Sequence, residues 1–369
     1  MAIDLLSFEE AQRKTGGSRR HLLLGNGFSI ALFPDRFRYG SLLQQAKDDG
    51  LFNDFPEIFE AFEILDTTDF EVVLEALVRM TKLIHLYVDE ADPKRKMLAD
   101  VERLKEALVT AVAGTHPARL GEISEEQFQN CRNFLLQFAG KGLDKPACIY
   151  TLNYDLLLYW TVQHEPAAEW DGDRVVEPDP ATLIKHDDGF RSPDDFPDAP
   201  FVTWDIDGGS NTQNIHFLHG GLHLFDAGFE LQKFCWERAG GIPLMDQIRE
   251  ALDNEKYPMF VSEGNSDSKL DKILHSGYLT RSYKSLAGVC QSPGNTLFIY
   301  GHSLAESDDH ILKLIEDGRF RSLFVSLYGD PHEEWNQAII EKAERLAANR
   351  GGFKLDVFFY DAASAKVWG

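Results

Sequence analysis

The chain has 369 residues and a net charge of -23, from 60 acidic and 37 basic side chains. This acidity argues against a broad nucleic-acid surface, because phosphate binding depends on clustered lysines and arginines, so direct binding of DNA or RNA is not expected. With 43% hydrophobic residues, the length allows one large domain or two of ordinary size.

The spacing of the four cysteines predicts that they are reduced and that they form no structural zinc site. They are widely spaced and form no C-x-x-C pair, which excludes a cysteine-rich zinc ribbon and a disulfide framework. The first residues contain no signal-peptide core, and no apolar run reaches the roughly 18 residues that span a bilayer. We therefore expect a cytoplasmic protein without a membrane segment.

The first predicted strand, residues 21–24, ends at the turn Gly25-Asn26-Gly27, and a helix is expected to begin at Phe28 and Ser29. Glycines let a backbone approach a pyrophosphate closely, and a helix start offers unpaired N–H groups. An ordinary strand-to-helix turn would have the same sequence. The motif is an incomplete dinucleotide fingerprint, because the third glycine is missing.

The pattern then becomes helical, with apolar residues at helical spacing over residues 54–140. We predict an all-helical insertion there, between a first part of the domain at residues 1–53 and its remainder at residues 141–369. Residues 165–210 are rich in Asp, Pro and Gly and predict a long acidic loop on the surface.

Strand-like runs resume after the insertion, and helices are expected after several of them. Alternating strands and helices predict an α/β fold with a Rossmann-like parallel sheet. The predicted strands are residues 147–151, 215–218, 259–261, 296–300, 323–327 and 355–359. The predicted helices are residues 269–286, 308–316 and 331–349.

Polar residues follow three of these strands. Asn153 and Asp155 come directly after residues 147–151 and can share one ligand, such as a ribose or a water, or they can form a local Asx turn. His219 stands before a Gly-Gly break, where its near-neutral pKa suits a base, although a structural histidine is the alternative. Gly301 and Ser303 form a second glycine turn that suits a sugar or a phosphate, or a simple helix cap.

Two further histidines, His216 and His223, lie near His219 in the sequence. No carboxylate or cysteine is found at the usual ligand spacing, and alternating histidines are also what one face of a strand gives. We therefore predict no metal site. Because strand ends meet at one edge of a parallel sheet, we expect the four motifs to surround one cleft.

Taken together, the motifs resemble the sirtuin-like (SIR2) superfamily, in which a first glycine turn, a T-x-N-x-D turn, a histidine and a late G-x-S turn surround NAD. Residues 25–29, 151–155, His219 and residues 301–303 correspond to them in order. More narrowly, the chain is similar to bacterial SIR2-like proteins of the DUF4917 type. It lacks the four-cysteine zinc module of sirtuin deacylases, so the resemblance implies a SIR2-like fold without that module.

Related proteins without the zinc module include antiphage effectors that hydrolyse NAD. The resemblance therefore implies an NAD+ glycohydrolase, without a metal, that acts in abortive infection. It also implies a homo-oligomer and a HerA-type ATPase partner. The alternatives are a regulatory module that binds NAD+ or ADP-ribose without turnover and, less favoured, an NAD-dependent deacylase. The implied catalytic residues are Asn153, His219 and Asp155, and the implied NAD-binding residues are Gly25, Asn26, Gly27, Phe28, Ser29, Gly301 and Ser303.

Overall fold

A computed structural model describes residues 4–88, 91–141, 143, 147–164, 166, 169–170, 172–176, 178–205, 212–235 and 241–369. Within these ranges, no helix combines the length and the apolar character that a membrane crossing requires. The strands are β1 (Leu5–Leu6), β2 (Arg19–Leu24), β3 (Ile149–Thr151), β4 (Glu169–Trp170), β5 (Val175–Val176), β6 (Phe190–Arg191), β7 (Phe201–Trp204), β8 (Ile215–Phe217), β9 (Leu224–Asp226), β10 (Leu231–Phe234), β11 (Asn295–Tyr300), β12 (Ser322–Leu327) and β13 (Asp356–Asp361).

The helices lie between these strands, and most have an amphipathic pattern with one buried face. They are α1 (Phe8–Lys14), α2 (Gly27–Leu32), α3 (Tyr39–Asp48), α4 (Pro56–Ile64), α5 (Phe70–Leu83), α6 (Ala91–Thr115), α7 (Glu125–Ala139), α8 (Leu157–Gln163), α9 (Leu244–Asp253), α10 (Ser266–His275), α11 (Gly277–Cys290), α12 (Asp309–Glu316) and α13 (Glu334–Ala348).

A seven-stranded sheet in the order β1-β13-β12-β11-β2-β3-β8 forms the centre of the molecule, and all its pairings are parallel. Its middle strands are mostly apolar and, after their first residue, buried, because both faces of a parallel sheet are covered. The predicted Rossmann-like α/β architecture is confirmed at this level. Strand β1, whose two residues pair with β13, is not predicted by the sequence pattern.

The strand order places a crevice above β2. From β2 the sheet continues to β3 and β8 on one side, whereas β11, β12 and β13 lie on the other side. The order therefore reverses between β2 and β11. In open parallel sheets, ligands bind outside the carboxyl ends of the strands at such a switch point.

The helical segment between β2 and β3 packs into the same core as the sheet. Helices α4 to α7 occupy most of the predicted insertion, and α2 and α3 extend the helical region upstream of residue 54. Phe134 and Phe138 of α7 contact Phe8, and Phe138 also contacts Phe298 of β11, with ring centroids 5.3 to 6.2 Å apart. These aromatic contacts fasten α7 to the sheet.

Three predicted elements differ in the structure. Part of the predicted acidic loop forms strands, because β6 and β7 join β9 and β10 in an antiparallel sheet of order β6-β7-β10-β9. Residues 259–261 form only a single bridge, between Phe260 and Gly220, rather than a strand. The helix predicted over residues 269–286 is divided in two, because Ser276 ends α10 and its hydroxyl caps the first turn of α11.

Candidate functional site

A cavity of about 880 Å³ lies at the carboxyl ends of the parallel strands. The structure brings eight of the ten residues predicted for the site to its wall: Gly25, Asn26, Gly27, Asn153, Asp155, His219, Gly301 and Ser303. The other two, Phe28 and Ser29, are buried beside the wall and do not line it. The cavity is at the upper end of the volume range typical of ligand sites.

The two glycine turns are bonded to each other. The amide of Gly27 donates to the carbonyl of Gly301 at 2.7 Å, and a Cβ on Gly27 would lie 2.5 Å from the Gly301 Cα. Gly301 itself has a φ of +66°, in the left-handed region that favours glycine. Close packing of β2 against β11 at the switch point therefore explains why these positions are glycines.

This packing alters the role predicted for the first turn. The Gly25 amide donates to the Tyr300 carbonyl, and the Gly27 amide donates to the Gly301 carbonyl. The Phe28 and Ser29 amides donate within the turn itself, to the carbonyls of Gly25 and Asn26. These four N–H groups are thus already used, and they cannot bind a pyrophosphate while those bonds persist. Positive charge at the cavity comes instead from two side chains that the sequence analysis did not select, Arg38 and Lys366.

Asn153, Ser29 and Asp155 form a hydrogen-bonded group that we call the amide cluster. The Asn153 Nδ2 donates to the Ser29 hydroxyl at 3.0 Å, and this hydroxyl donates to the Asp155 Oδ2 at 2.5 Å. The Asp155 Oδ1 also accepts from the Leu157 amide, at the first residue of α8, at 2.9 Å. The cluster fixes the orientation of the Asn153 amide at the cavity wall.

Burial also affects the acidity of the carboxyl group in the amide cluster. Ser29 has 0% exposure and Asp155 only 5%. Burial raises the pKa of Asp155, while the hydrogen bonds from Ser29 and from the Leu157 amide act in the opposite direction. Ser29 therefore supports the site from beneath the cavity wall. The sequence predicts instead that its hydroxyl contacts the ligand.

Phe28 also has a structural role. Its ring packs against Trp368 at 5.1 Å, and its carbonyl accepts from the Trp368 indole at 2.8 Å. Trp368 and Lys366 line the cavity. Phe28 therefore holds the segment around Trp368 against α2, which completes one side of the cavity.

A second group, which we call the ionic cluster, surrounds His219. Lys269, only 1% exposed, donates to both oxygens of Glu71 at 3.0 and 2.8 Å and to the Asp308 Oδ1 at 3.0 Å. The Asp308 Oδ1 is also 3.9 Å from the His219 Nε2. Glu71 belongs to α5, so the cluster connects the helical segment to the strand ends.

Charge balance sets the protonation of the ionic cluster. Burial alone would raise the pKa of Asp308, but Lys269 and the hydrogen bond from His302 together hold this pKa well below its usual range. Burial alone would lower the pKa of Lys269, but Glu71 and Asp308 raise it instead. Both groups are therefore charged at neutral pH, and they form a compensated buried ion pair.

His219 is buried, and its Nε2 lies 3.0 Å from the Nε2 of His310 in α12. Burial lowers the pKa of His219 well below 6.5, and Lys269 adds to this effect while Asp308 opposes it. Burial also lowers the pKa of His310, to about 4. Both rings are therefore neutral at pH 7.

The ring geometry favours a hydrogen bond over a shared metal ion. The two rings are 23° from parallel, and their centroids are 5.2 Å apart. The two Nε2 atoms are 3.0 Å apart, as in a hydrogen bond, whereas two nitrogens bound at about 2.1 Å to one tetrahedral metal ion would lie about 3.4 Å apart. No carboxylate stands near His219 in the sequence. The structure nevertheless brings an oxygen of Asp308 within 4.8 Å of ring nitrogens of both histidines.

His216 and His223 do not join His219. His216 stacks on Tyr150 at 4.9 Å and lies 3.2 Å from the hydroxyls of Ser282 and Ser285. His223 packs between Tyr159 and Phe217. Neither residue lines the cavity. Both side chains are instead buried in the packed interior.

Sequence reasoning missed several residues of the cavity and its support. Glu71, Lys269 and His310 lie inside helices whose pattern predicts only an amphipathic face. Tyr328 and Trp335 line the cavity after β12 although they are 75% and 58% exposed. The position of Tyr328 just after a buried strand was the available signal, since it repeats the rule that selected the other strand ends.

The comparisons with known proteins give one family. No curated protein matches the chain. A family described as a domain of unknown function, DUF4917, matches residues 22–368, which include all of the cavity except Gly369. The chain therefore belongs to the DUF4917 family.

Proposed function

We propose that the protein is an NAD+ glycohydrolase with a SIR2-like site. The observation that carries the proposal is the position of Asn153 and His219 on the wall of one large cavity at the switch point of a parallel sheet. This is where such sheets bind nucleotides. The order of the motifs along the chain, which resembles SIR2 proteins, supports the dinucleotide as the ligand.

In this reaction the bond between the ribose anomeric carbon and the nicotinamide nitrogen breaks, and nicotinamide leaves with the electron pair. Water adds to the carbon through an oxocarbenium-like transition state and loses a proton, giving ADP-ribose. The leaving group is cationic before it departs, so little acid catalysis is needed. Binding the ribose and placing the water are the main tasks of the site.

The amide cluster suits the first of these tasks. Because Ser29 accepts from the Asn153 Nδ2, the amide is oriented and its Oδ1 is available to a ribose hydroxyl or to the attacking water. Asp155 acts through Ser29 and places negative charge near the ribose. A preoriented amide loses little entropy when the ligand binds.

His219 suits the proton transfer. Its low pKa keeps the imidazole neutral, so one ring nitrogen retains a lone pair that can accept a proton from the water or from a ribose hydroxyl. The phosphates are assigned to Arg38 and Lys366, since the amides of the first turn are used internally. The adenosine half is assigned to Gly301 and Ser303, with Tyr328 and Trp335 as stacking surfaces for adenine.

Nicotinamide release from NAD+ by the purified chain tests the proposal. Asn153→Ala and His219→Ala should each reduce the rate by at least about 100-fold, since each removes a group that acts in the transition state. His332→Ala, at an exposed histidine, serves as the control and should retain full activity. Circular dichroism would establish that each variant is folded. Release by the wild type that survives in both variants would overturn the assignment.

A second candidate is a regulatory module that binds NAD+ or ADP-ribose without turnover. The observation that favours it is the internal bonding of the site, because the Ser29 hydroxyl and one nitrogen of His219 already have protein partners. Calorimetry with NAD+, combined with product analysis, separates the two functions. Binding without nicotinamide formation favours the regulatory module.

The homo-oligomer, the ATPase partner and the role in antiphage defence stay predictions. The helical segment has several exposed apolar side chains, among them Met80, Leu83 and Leu86 at 54 to 64% exposure. Clusters of this kind often mark contact surfaces. Light scattering of the wild type and of a Met80→Lys, Leu83→Lys variant would show whether this face mediates self-association.

A further inference from the structure

We propose that His310 is a positioning residue that sets the tautomer of His219, so that the Nδ1 of His219 carries the lone pair used at the cavity. This inference rests on the proposed function for its activity test but not for its structural one. It starts from the contact between the two Nε2 atoms at 3.0 Å. Two neutral imidazoles in this arrangement share one proton, so one ring donates and the other accepts.

The two possible arrangements have opposite consequences for His219. If His310 donates, the Nε2 of His219 is the acceptor and its Nδ1 carries the hydrogen, which leaves no lone pair for a reacting proton. If His219 donates, its Nδ1 is free to accept. Only the second arrangement makes His219 a base, because the bond to His310 already uses the Nε2.

The surroundings of the pair favour the second arrangement. The Asp308 Oδ1 is 3.9 Å from the His219 Nε2, and a carboxylate stabilises a hydrogen on the nitrogen that it faces. The Nδ1 of His310 faces the Ser266 hydroxyl at 3.5 Å, which can accept a hydrogen from that nitrogen. Together these contacts order the hydrogens from Nε2 of His219 to Nε2 of His310 and from Nδ1 of His310 toward Ser266.

Neighbouring residues keep this order in place. The Nδ1 of His302 accepts from the Leu304 amide at 2.9 Å, so its hydrogen is on Nε2 and points to the Asp308 Oδ2, 3.0 Å away. His302 therefore cannot deliver a proton to the pair without losing that bond. Lys269 faces the other oxygen of Asp308 and keeps the carboxylate ionised.

The charged groups near the pair come from several elements. Asp308 precedes α12, Lys269 belongs to α10, and Glu71 of α5 neutralises Lys269 from the far side. Asp309 stands next to His310 on its own helix and pairs with Lys342 at 2.7 Å. His310 itself is fixed by its carbonyl, which accepts from the Tyr283 hydroxyl at 3.1 Å.

The first experiment reads the tautomer directly by nuclear magnetic resonance of the full chain labelled with ¹⁵N-histidine. The ring signals of His219 and His310 are assigned by their loss in His219→Gln and His310→Gln. We expect the hydrogen on the His219 Nε2 and a scalar coupling from that nitrogen to the His310 Nε2. A hydrogen on the His219 Nδ1, or the absence of this coupling, would overturn the inference. This outcome does not depend on NAD+ turnover.

The second experiment compares two substitutions in the nicotinamide-release assay. His310→Gln keeps an oxygen that can accept from the His219 Nε2, whereas His310→Leu removes every acceptor. We expect kcat to fall about 100-fold in His310→Leu and less than about 5-fold in His310→Gln, with KM changed less than about 3-fold in both. Equal losses in the two variants would contradict a positioning role, and wild-type inactivity would refute the proposed function while leaving the tautomer result intact.

Discussion

The two polar clusters at the cavity are built by opposite means. In the amide cluster, Asn153, Ser29 and Asp155 come from two adjacent strand ends and form a short chain of hydrogen bonds with one charge. In the ionic cluster, Lys269 compensates two carboxylates, Glu71 and Asp308, that come from elements far apart in the sequence. One cluster is local and contains a single carboxyl group, and the other joins distant elements by pairing one lysine with two carboxyl groups.

The difference shows how the two halves of the site are supported. Two strands separate β8 from β11 in the sheet, so the segment after β11 must cross over them to bring Asp308 and His310 to His219. The ion pair between Lys269 and Asp308 fixes this segment in place, and the ion pair between Lys269 and Glu71 connects it to α5. We infer that the amide cluster depends mainly on the ends of β2 and β3, whereas the position of His219 also depends on the ion pair that joins α5 to Lys269.

Loss of the cation at the centre of the ionic cluster should have the largest effect. Lys269→Met leaves Glu71 and Asp308 buried near each other without compensation, and we expect the free energy of unfolding to fall by about 3 to 5 kcal/mol. Urea denaturation of the two proteins measures the change. The additional substitution Glu71→Gln should recover part of the loss, because it removes one of the two stranded charges.

The matched control is Lys342→Met, which breaks the pair between Lys342 and Asp309 nearer the surface. We expect this change to cost less than about 1 kcal/mol, since partly exposed ion pairs contribute little. Equal losses in Lys269→Met and Lys342→Met would mean that the ionic cluster is no more important for stability than a surface pair. The contrast between the two clusters would then disappear.

A smaller effect is expected from the amide cluster. Ser29→Ala removes the hydroxyl between Asn153 and Asp155 and leaves a buried amide donor and a buried carboxylate oxygen without their partner. We expect the free energy of unfolding to fall by about 1 to 3 kcal/mol. In the nicotinamide-release assay, kcat should fall while the KM for NAD+ changes little, because Ser29 does not line the cavity. Thr161→Ala is the control, since its buried hydroxyl donates to the Leu157 carbonyl within α8 and Thr161 does not line the cavity.

The sequence predicts the amide cluster far better than the ionic one. Asn153 and Asp155 stand directly after β3, and Ser29 stands just after the glycine turn that ends β2, so strand ends alone predict their convergence. Lys269 and Glu71 are 198 positions apart along the chain, and each lies in a helix with ordinary amphipathic spacing. Only the tertiary contact between α5 and α10 brings them together, and no local sequence pattern predicts that contact.

The fold shows the same division. The alternation of apolar strands and amphipathic helices predicts the parallel sheet, because buried strands have a periodicity and length that helices lack. It does not predict β6 and β7, since their two to four residues are too short for a pattern and take their stability from β9 and β10. The sequence also predicts the glycine turns, but the reason for the glycines, a contact between the turns after β2 and β11, depends on the strand order.

The smallest expected effect is a loss of stability at acid pH that comes from His310, next to the ionic cluster. The pKa of His310 is about 4 in the folded protein, against about 6.5 when unfolded, so the unfolded chain takes up this proton first as the pH falls. The stability that depends on neutral His310 is therefore present above about pH 6.5 and is lost as the pH falls toward 4.

His310→Gln lacks this proton uptake. We expect the difference in free energy of unfolding between the wild type and His310→Gln to narrow by about 1 kcal/mol from pH 7 to 5.5. Urea denaturation at both pH values measures it, and a constant difference would show that His310 is protonated as easily in the folded chain as in the unfolded one.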